Sequence, residues 1–214
     1  MAKFQIDDGY SSFLVEGATF VGKYQIPELM RQETSVPKEL IPFDKRKKYD
    51  GKDIAIDFYM HDKTFRQVIS HADRYVNDLK KFRAVITPDC SLYRDMPLCL
   101  QITNTYLNRA VGFFFQKQGI AVIPNVRWGD ERSYEFCFLG VPKNGMVAIS
   151  THGCIRSNEN KEYFRKGLKA MIAEVRPQIV LVHGDMPDSV FSSFSEQAQF
   201  VHYESYISKI RRAR

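Results

Sequence analysis

Residues 53–87 read DIAIDFYMHDKTFRQVISHADRYVNDLKKFRAVIT. The run Asp53-Ile54-Ala55-Ile56-Asp57-Phe58-Tyr59 is short and mostly apolar, the pattern of a strand. Phe65, Val68, Ile69, Ala72, Val76 and Leu79 then recur at helical spacing and form one apolar stripe. Asp62 stands where its carboxylate would cap that helix. Arg83 to Thr87 is a second strand, stopped by Pro88. A strand, a helix and a strand joined by short turns make a βαβ unit, and βαβ units imply a parallel sheet.

The alternation continues downstream. A helix is predicted over 96–118, with Pro97 in its first turn and Gly119 just past its end. Residues 120–126 form a third strand, and 133–138 are ambiguous between a short helix and a strand. A strand over 146–150, a helix over 158–176 stopped by Pro177, a strand over 178–182 and a further one over 200–203 complete the set. These strands are largely apolar, as strands covered on both faces should be. The expected fold class is α/β: a parallel sheet of about five to seven strands with alternating helices. A compact or incomplete TIM-like barrel is favoured over an open doubly wound sheet, because the chain is just long enough for it. Residues 1–50, punctuated by Pro27, Pro37 and Pro42, are read as an N-terminal arm packing on the body, with short strands at 13–15 and 19–21 and a helical turn at 26–31. Residues 51–214 are read as a single α/β domain with a basic C-terminal tail.

Composition narrows the class further. Of 214 residues, 44% are hydrophobic and 26% charged, which excludes global disorder, collagen and low-complexity chains. The net charge of +6 permits nucleotides or nucleic acid as partners without requiring them. Two clusters contribute to it: Lys45, Arg46, Lys47 and Lys48, and then Lys209, Arg211, Arg212 and Arg214. They are candidate nucleic-acid contacts if they are more than solvated surface charge. Cys90, Cys99, Cys137 and Cys154 form no C-x-x-C pair, which argues against a zinc ribbon or a thioredoxin-type site. MAKFQIDDGY has no apolar leader core, and no stretch approaches the ~20 apolar residues of a membrane span. A cytoplasmic protein with no membrane partner is therefore expected; oligomeric state is unknown.

In either closure of a parallel sheet, ligands bind at the carboxyl ends of the strands. Those ends carry Tyr59, His61 and Asp62; then Asp89, Ser91, Tyr93, Arg94 and Asp95; then Asn125, Arg127, Trp128, Asp130 and Glu131; then Ser150, Thr151, His152, Gly153 and Cys154; then His183, Gly184 and Asp185. Asp89, Asp130, His152 and His183 are the candidate catalytic groups. Ser91, Tyr93, Arg94, Arg127, Trp128, Ser150, Thr151 and Gly153 are the candidate substrate contacts. His61, Asp62 and Asp185, with Asp89, His152 and His183, have the donor chemistry for a divalent metal, although their spacing matches no metal motif. A metal-free alternative uses Arg94, Arg127 and Arg156 as anion clamps and a histidine as acid–base group. P-loop, GxGxxG, GxSxG and kinase patterns are absent. On the long helix Gln101, Asn104 and Asn108 share a face that either meets bases or faces solvent.

The stretches PDCSLYRDMPLCLQITNTYLNRAVG and IPNVRWGDERSYEFCFLGVPKNGMVAISTHGC resemble an uncharacterised family carried by bacteria, phages and plasmids and catalogued as a domain of unknown function. Its pattern of a P-D-x-S-x-Y-x-D-M-P segment, a Q-x-x-N-x-Y-x-x-R helix, a W-x-D-E-R-S-x-x-F-C-F segment and an A-x-S-T-x-G strand end is met at Asp89, Ser91, Tyr93, Met96, Pro97, Gln101, Asn104, Tyr106, Arg109, Trp128, Asp130, Ser133, Phe136, Cys137, Ser150, Thr151 and Gly153. The resemblance covers roughly residues 83 to 185. It implies a phage or mobile-element context, hence the cytoplasm of a bacterial host cell, and supplies no activity. It also puts weight on Asp89, Ser91, Trp128, Asp130, Ser150 and Thr151 rather than on His152 and His183, where the pattern has no histidine.

The expected function is a small-ligand or catalytic pocket at the strand ends for a phosphate-bearing substrate, nucleotide or nucleic acid, with hydrolysis as a candidate reaction. The alternative is a non-catalytic accessory protein that binds nucleic acid or a host protein. Under the first reading Asp89, Arg127, Trp128, Asp130, Thr151 and His183 should converge on one cavity.

Overall fold

The structure, a computed structural model, describes residues 10–212. The first nine residues of the arm and Arg214 of the second basic cluster lie outside the described residues. The chain opens on a 3₁₀ turn, Ser12–Val15, and an antiparallel hairpin of β1 (Phe20–Val21) and β2 (Ile26–Pro27). There follow β3 (Glu39–Pro42), a 3₁₀ turn over Phe43–Lys48, β4 (Ile54–Asp57), α1 (Asp62–Ser70), α2 (Val76–Leu79), β5 (Ala84–Ile86) and α3 (Leu98–Lys117). The second half contains β6 (Val122–Ile123), α4 (Tyr134–Cys137), β7 (Met146–Ser150), α5 (Asn158–Val175), β8 (Ile179–His183), α6 (Asp188–Phe191), β9 (Gln199–Tyr203) and α7 (Tyr206–Arg212).

The fold is mixed α/β with two parallel sheets, β3-β4-β5-β6 and β7-β8-β9. The single sheet expected from the sequence is therefore divided into four and three strands. Pro124 has no N–H to give, and β6 ends as a regular strand at Ile123. One parallel bridge still joins the halves, Asn125 to Ala148, with Val126 N donating to Ala148 O and Ala148 N to Pro124 O, each at 2.8 Å.

Alternation along the strands sorts the core. Leu40, Ala55, Ala84, Ile86, Ile123, Ala148, Leu181 and Tyr203, drawn from all seven parallel strands, pack with one another. The opposite faces take the helices. Ile56, Val85 and Val122 pack with Phe65, Val68, Val111 and Phe115 of α1 and α3. Val147, Ile149, Val180 and Val182 pack with Phe164, Leu168, Met171 and Ile172 of α5. Each such buried aliphatic or phenyl side chain contributes about 1.5–3 kcal/mol. At the far edge the Tyr203 hydroxyl donates to Pro37 O at 2.5 Å, tying the last strand to the segment before β3.

Several local expectations change. The stripe over 65–79 is broken into α1, a 3₁₀ turn at Ala72–Tyr75 and α2. Residues 13–15 belong to a 3₁₀ turn, and 26–27 are extended rather than helical. Glu39–Pro42, read as arm, pairs in register with β4. The ambiguous 133–138 becomes the end of a 3₁₀ turn followed by α4. Asp62 does not cap α1: His61 holds the cap position without a side-chain bond, and the Asp62 carboxylate is taken by the loop after β5. The long helices end as read, α3 before Gly119 at φ +78° and α5 at Arg176 at φ +50°, ahead of Pro177.

Candidate functional site

Five strand ends deliver one connected set of polar side chains. Asp57 closes β4 and Tyr59 follows it, Asp89 follows β5, Asn125 and Arg127 follow β6, Ser150 closes β7 with Cys154 in the loop beyond, and His183 closes β8. Arg127 Nη1 donates to Asp89 Oδ2 at 2.8 Å, and Asn125 Nδ2 donates to Asp89 Oδ1 at 2.8 Å. The Tyr59 hydroxyl donates to Asn125 Oδ1 at 3.1 Å, and its ring lies flat on His183 with centroids 4.4 Å apart. His183 Nδ1 meets Ser150 Oγ at 3.1 Å. On the other side Arg127 Nη2 approaches Cys154 Sγ at 3.7 Å. The network thus runs from Cys154 through Arg127, Asp89, Asn125 and Tyr59 to His183 and Ser150.

Burial gives these groups unusual electrostatics. Burial by itself weakens the Arg127 cation, but the Asp89 charge and hydrogen bond help to outweigh this and raise its pKa. Asp57 is 1% exposed, and burial pushes its carboxyl up to about 7, with the nearby Asp89 charge adding to the rise and the Tyr59 N–H bond opposing it. His183 is driven the other way, down to about 3, by burial first and then by the charges of His152, Lys209 and His202. Burial raises the Cys154 thiol above its usual range, which leaves it a poor nucleophile at neutral pH. The Asp57 and His183 shifts have the same physical cause, since burial disfavours the charged form of a carboxyl and of an imidazole alike.

The face of α3 with Gln101 and Asn108 is buried and Asn104 beside them is half-buried, so this face packs inward rather than turning to solvent. Gln101, Asn108 and Arg109 are buried and scaffold the strand ends. Asn108 accepts from Thr87 Oγ1 at 3.0 Å and donates to Pro88 O at 2.6 Å; Thr87 Oγ1 in turn accepts from Asn125 N at 2.8 Å. Arg109, 2% exposed, donates to the carbonyls of Asn125, Cys137 and Leu139 and to the Asn108 side chain. A guanidinium suits this task because its planar fork reaches several carbonyls at once. A small cavity lined by Cys90, Asn104, Asn108, Arg109, Asn125, Arg127 and Cys137 lies beside the network, with space for water rather than a metabolite.

The other predicted residues are placed elsewhere. Trp128 is core, packed on Phe138, Phe164 and Gly167, and Asp130 caps the following 3₁₀ turn and pairs with Arg132. The expected six-residue convergence is therefore partial: Asp89, Arg127 and His183 share the network, whereas Trp128 and Asp130 lie outside it. Thr151 holds the loop after β8 by donating to Asp185 O at 2.7 Å. Ser91 bonds Asp62 and the exposed Tyr93. Arg94 stacks on Tyr163 at 4.0 Å and bonds Glu159 and Asn160. His61, His152, Gly153, Arg156 and Asp185 are exposed, Gly153 with a left-handed φ of +77°. Among the described residues no three His, Cys, Asp or Glu side chains gather as a metal site, so the proposed ligand set of His61, Asp62, Asp89, His152, His183 and Asp185 is not assembled. Lys45 pairs with Asp44, Arg46 with Asp78 and Arg212 with Glu204, while Lys47, Lys48 and Arg211 are exposed. Among the described residues no helix is long and apolar enough to cross a membrane.

Asp57 was not among the sequence-derived candidates, while Asn108 was noted only on the polar face of the long helix and Arg109 only as a match to the family pattern. The available signal for Asp57 was an acid at the end of a strand that is covered on both faces.

Comparison with known proteins places residues 18–204 in a match to the family described as a domain of unknown function (DUF4417). The resemblance read at residues 83–185 therefore holds and extends over most of the chain. The chain is 35% identical over 166 residues to the "Gene 1 protein" of Mycobacterium phage L5, covering 76% of this chain and 72% of that protein. It is 34% identical over 164 residues to the "Gene 1 protein" of Mycobacterium phage D29, covering 75% of this chain but only 60% of the relative. No solved structure matches the chain.

Proposed function

We propose that this chain, which belongs to the DUF4417 family of domains of unknown function, uses the carboxyl ends of its parallel strands as a small-ligand or catalytic site for a phosphate-bearing substrate. We read the seven strands as an incomplete TIM-like barrel. That reading is supported by the Asn125–Ala148 bridge and by one interior layer made of side chains from every strand. The phage relatives support a phage or mobile-element setting.

The observation that carries the functional reading is the series hydrogen-bonded from Arg127 through Asp89 and Asn125 to Tyr59 and continued by ring stacking onto His183, contributed by four different strand ends. Core packing does not require polar groups to be collected there, and burying them costs free energy unless each is partnered. In this reading Arg127 attracts the phosphate, with Asp89 and Asn125 orienting its guanidinium. Asp57 is the proton-holding group, His183 is a neutral imidazole that exchanges hydrogen bonds without taking up charge, and hydrolysis of a nucleotide or nucleic acid is the reaction class.

One observation favours the second reading, a non-catalytic accessory protein that binds nucleic acid or a host protein. The network groups satisfy one another, and the neighbouring cavity has no room for a metabolite. Calorimetric titration with inorganic phosphate and with mononucleotides, in the presence and absence of divalent cations, separates the two. Saturable binding that Arg127→Gln abolishes supports the strand-end site. Absence of binding, or binding indifferent to Arg127→Gln, gives the accessory reading precedence.

A further inference from the structure

The two basic clusters, 160 residues apart in sequence, form one surface in the fold. The turn Phe43–Lys48 follows the carboxyl end of β3, and α7 follows the carboxyl end of β9, the two outermost parallel strands. Two contacts bring them together: the Tyr49 and Tyr206 hydroxyls meet at 3.4 Å, and Lys209 Nζ bonds Glu39 of β3 at 2.9 Å. Both elements therefore follow carboxyl ends of the parallel strands, the rim on which the strand-end network also stands.

Acidic groups on this rim occupy part of the charge. Asp44 holds Lys45, Asp78 holds Arg46, Glu39 holds Lys209 and Glu204 holds Arg212, while Asp50 is exposed nearby. Lys47, Lys48 and Arg211 are exposed and form no ion pair among the described residues. Beside them Ile207 is 58% exposed and Ile210 41%. Cations next to exposed apolar side chains and two half-buried tyrosines match a chain with regular phosphates and bare base faces.

We infer that this rim binds a single-stranded polynucleotide, with its phosphates on Lys47, Lys48 and Arg211 and its bases against Tyr206 and Ile207, leading the strand toward the Asp89–Arg127 network. The inference deepens the strand-end reading and rests on it by naming the substrate as a strand rather than a free nucleotide.

Fluorescence anisotropy of a labelled single-stranded oligonucleotide with the full chain tests it. Three phosphate contacts predict an affinity that falls roughly twentyfold between 50 and 200 mM salt. Lys47→Glu/Lys48→Glu/Arg211→Glu should remove the binding at every salt concentration, with an unchanged circular dichroism spectrum and an unchanged calorimetric response to inorganic phosphate. Lys47→Gln/Lys48→Gln/Arg211→Gln, a milder set, should weaken binding and flatten the salt dependence. Failure of the native chain to bind the strand overturns the inference, as does binding that survives both triple variants. Binding of phosphatidylserine vesicles in place of the oligonucleotide, lost in the same variants, also overturns it and makes the rim a membrane surface. If phosphate binding at Arg127 persists while oligonucleotide binding is absent, only the rim inference falls. If oligonucleotide binding is rim-dependent but phosphate is ignored, only the strand-end site falls.

Discussion

The Asp89 carboxylate and the Arg127 guanidinium, 38 residues apart, meet at 2.8 Å with their side chains only 13% and 18% exposed. Neither belongs to a strand; each stands a few residues past one. Parallel strands lie ~4.8 Å apart, so residues just beyond neighbouring strand ends fall within reach of each other. The pair is the joint between the Cys154 side of the network and the Tyr59–His183 side.

Removing one partner leaves the other charge largely buried. Arg127→Met should destabilise the protein by about 2–4 kcal/mol, and Asp89→Asn by less, because an amide oxygen still accepts from Asn125 or Arg127. Thermal unfolding of the two single variants and the double variant checks this. A double-mutant coupling energy near zero would show that the pair is not energetically linked.

Asp57 should give stability a descending pH dependence. Its folded pKa, about 7, is above the 3.8 of an ordinary aspartate. The native state therefore holds a proton that the unfolded chain releases, and stability present at low pH is lost as pH rises through that window. The fall is up to ~4 kcal/mol, and Asp57→Asn should abolish it and be the more stable form at pH 8. Urea unfolding of both proteins across the range measures the difference. Parallel curves would place the titration elsewhere.

His183 should act in the opposite sense. Its folded pKa, about 3, is below the 6.5 of free histidine. The unfolded chain takes up a proton that the native ring refuses, so stability present above pH 6.5 is lost as pH falls toward 3. In native protein the Asp57 and His183 slopes partly cancel between pH 4 and 6.5. In Asp57→Asn the His183 acid limb should stand exposed, and His183→Asn should remove it. Imidazole proton shifts in NMR, flat down to pH 5 for this residue, are the direct check.

Gly167 should tolerate no side chain. A Cβ at this position of α5 would overlap the Trp128 indole nitrogen. Gly167→Ala therefore forces the helix or the ring to move, at a cost of about 1–3 kcal/mol despite alanine's better helix propensity. The protein has one tryptophan, so a shift in its emission reports the movement. An unaltered spectrum with raised stability would contradict this packing.

The βαβ alternation was legible because apolar periodicity is local: the strand at 54–57, α3 with Pro97 ahead and Gly119 behind, and β7 and β8 are all written in consecutive residues. The strand ends followed from the same periodicity, which is why Asp89, Arg127, Ser150 and His183 could be nominated. β3 escaped notice because four residues between Lys38 and Phe43 carry too short a pattern to stand out from a proline-punctuated arm. The Gln101, Asn104 and Asn108 face was misleading for a related reason. Amides on a helix look solvent-facing until the carbonyls that satisfy them, up to 20 residues away in the chain, are in place.

The sequence by itself determined the elements, their parallel sense and the edge on which polar groups would collect, since these depend on residue type and spacing along the chain. Only the tertiary structure decided which of those groups meet. Asp57 became a proton-holding acid through burial, Trp128 and Asp130 were taken out of the site by Gly167 and Arg132, and Lys47 and Arg211 came to one rim through Tyr49 and Tyr206. Desolvation and pairing are properties of three-dimensional neighbours, and a side chain's spacing in the chain does not encode who those neighbours are.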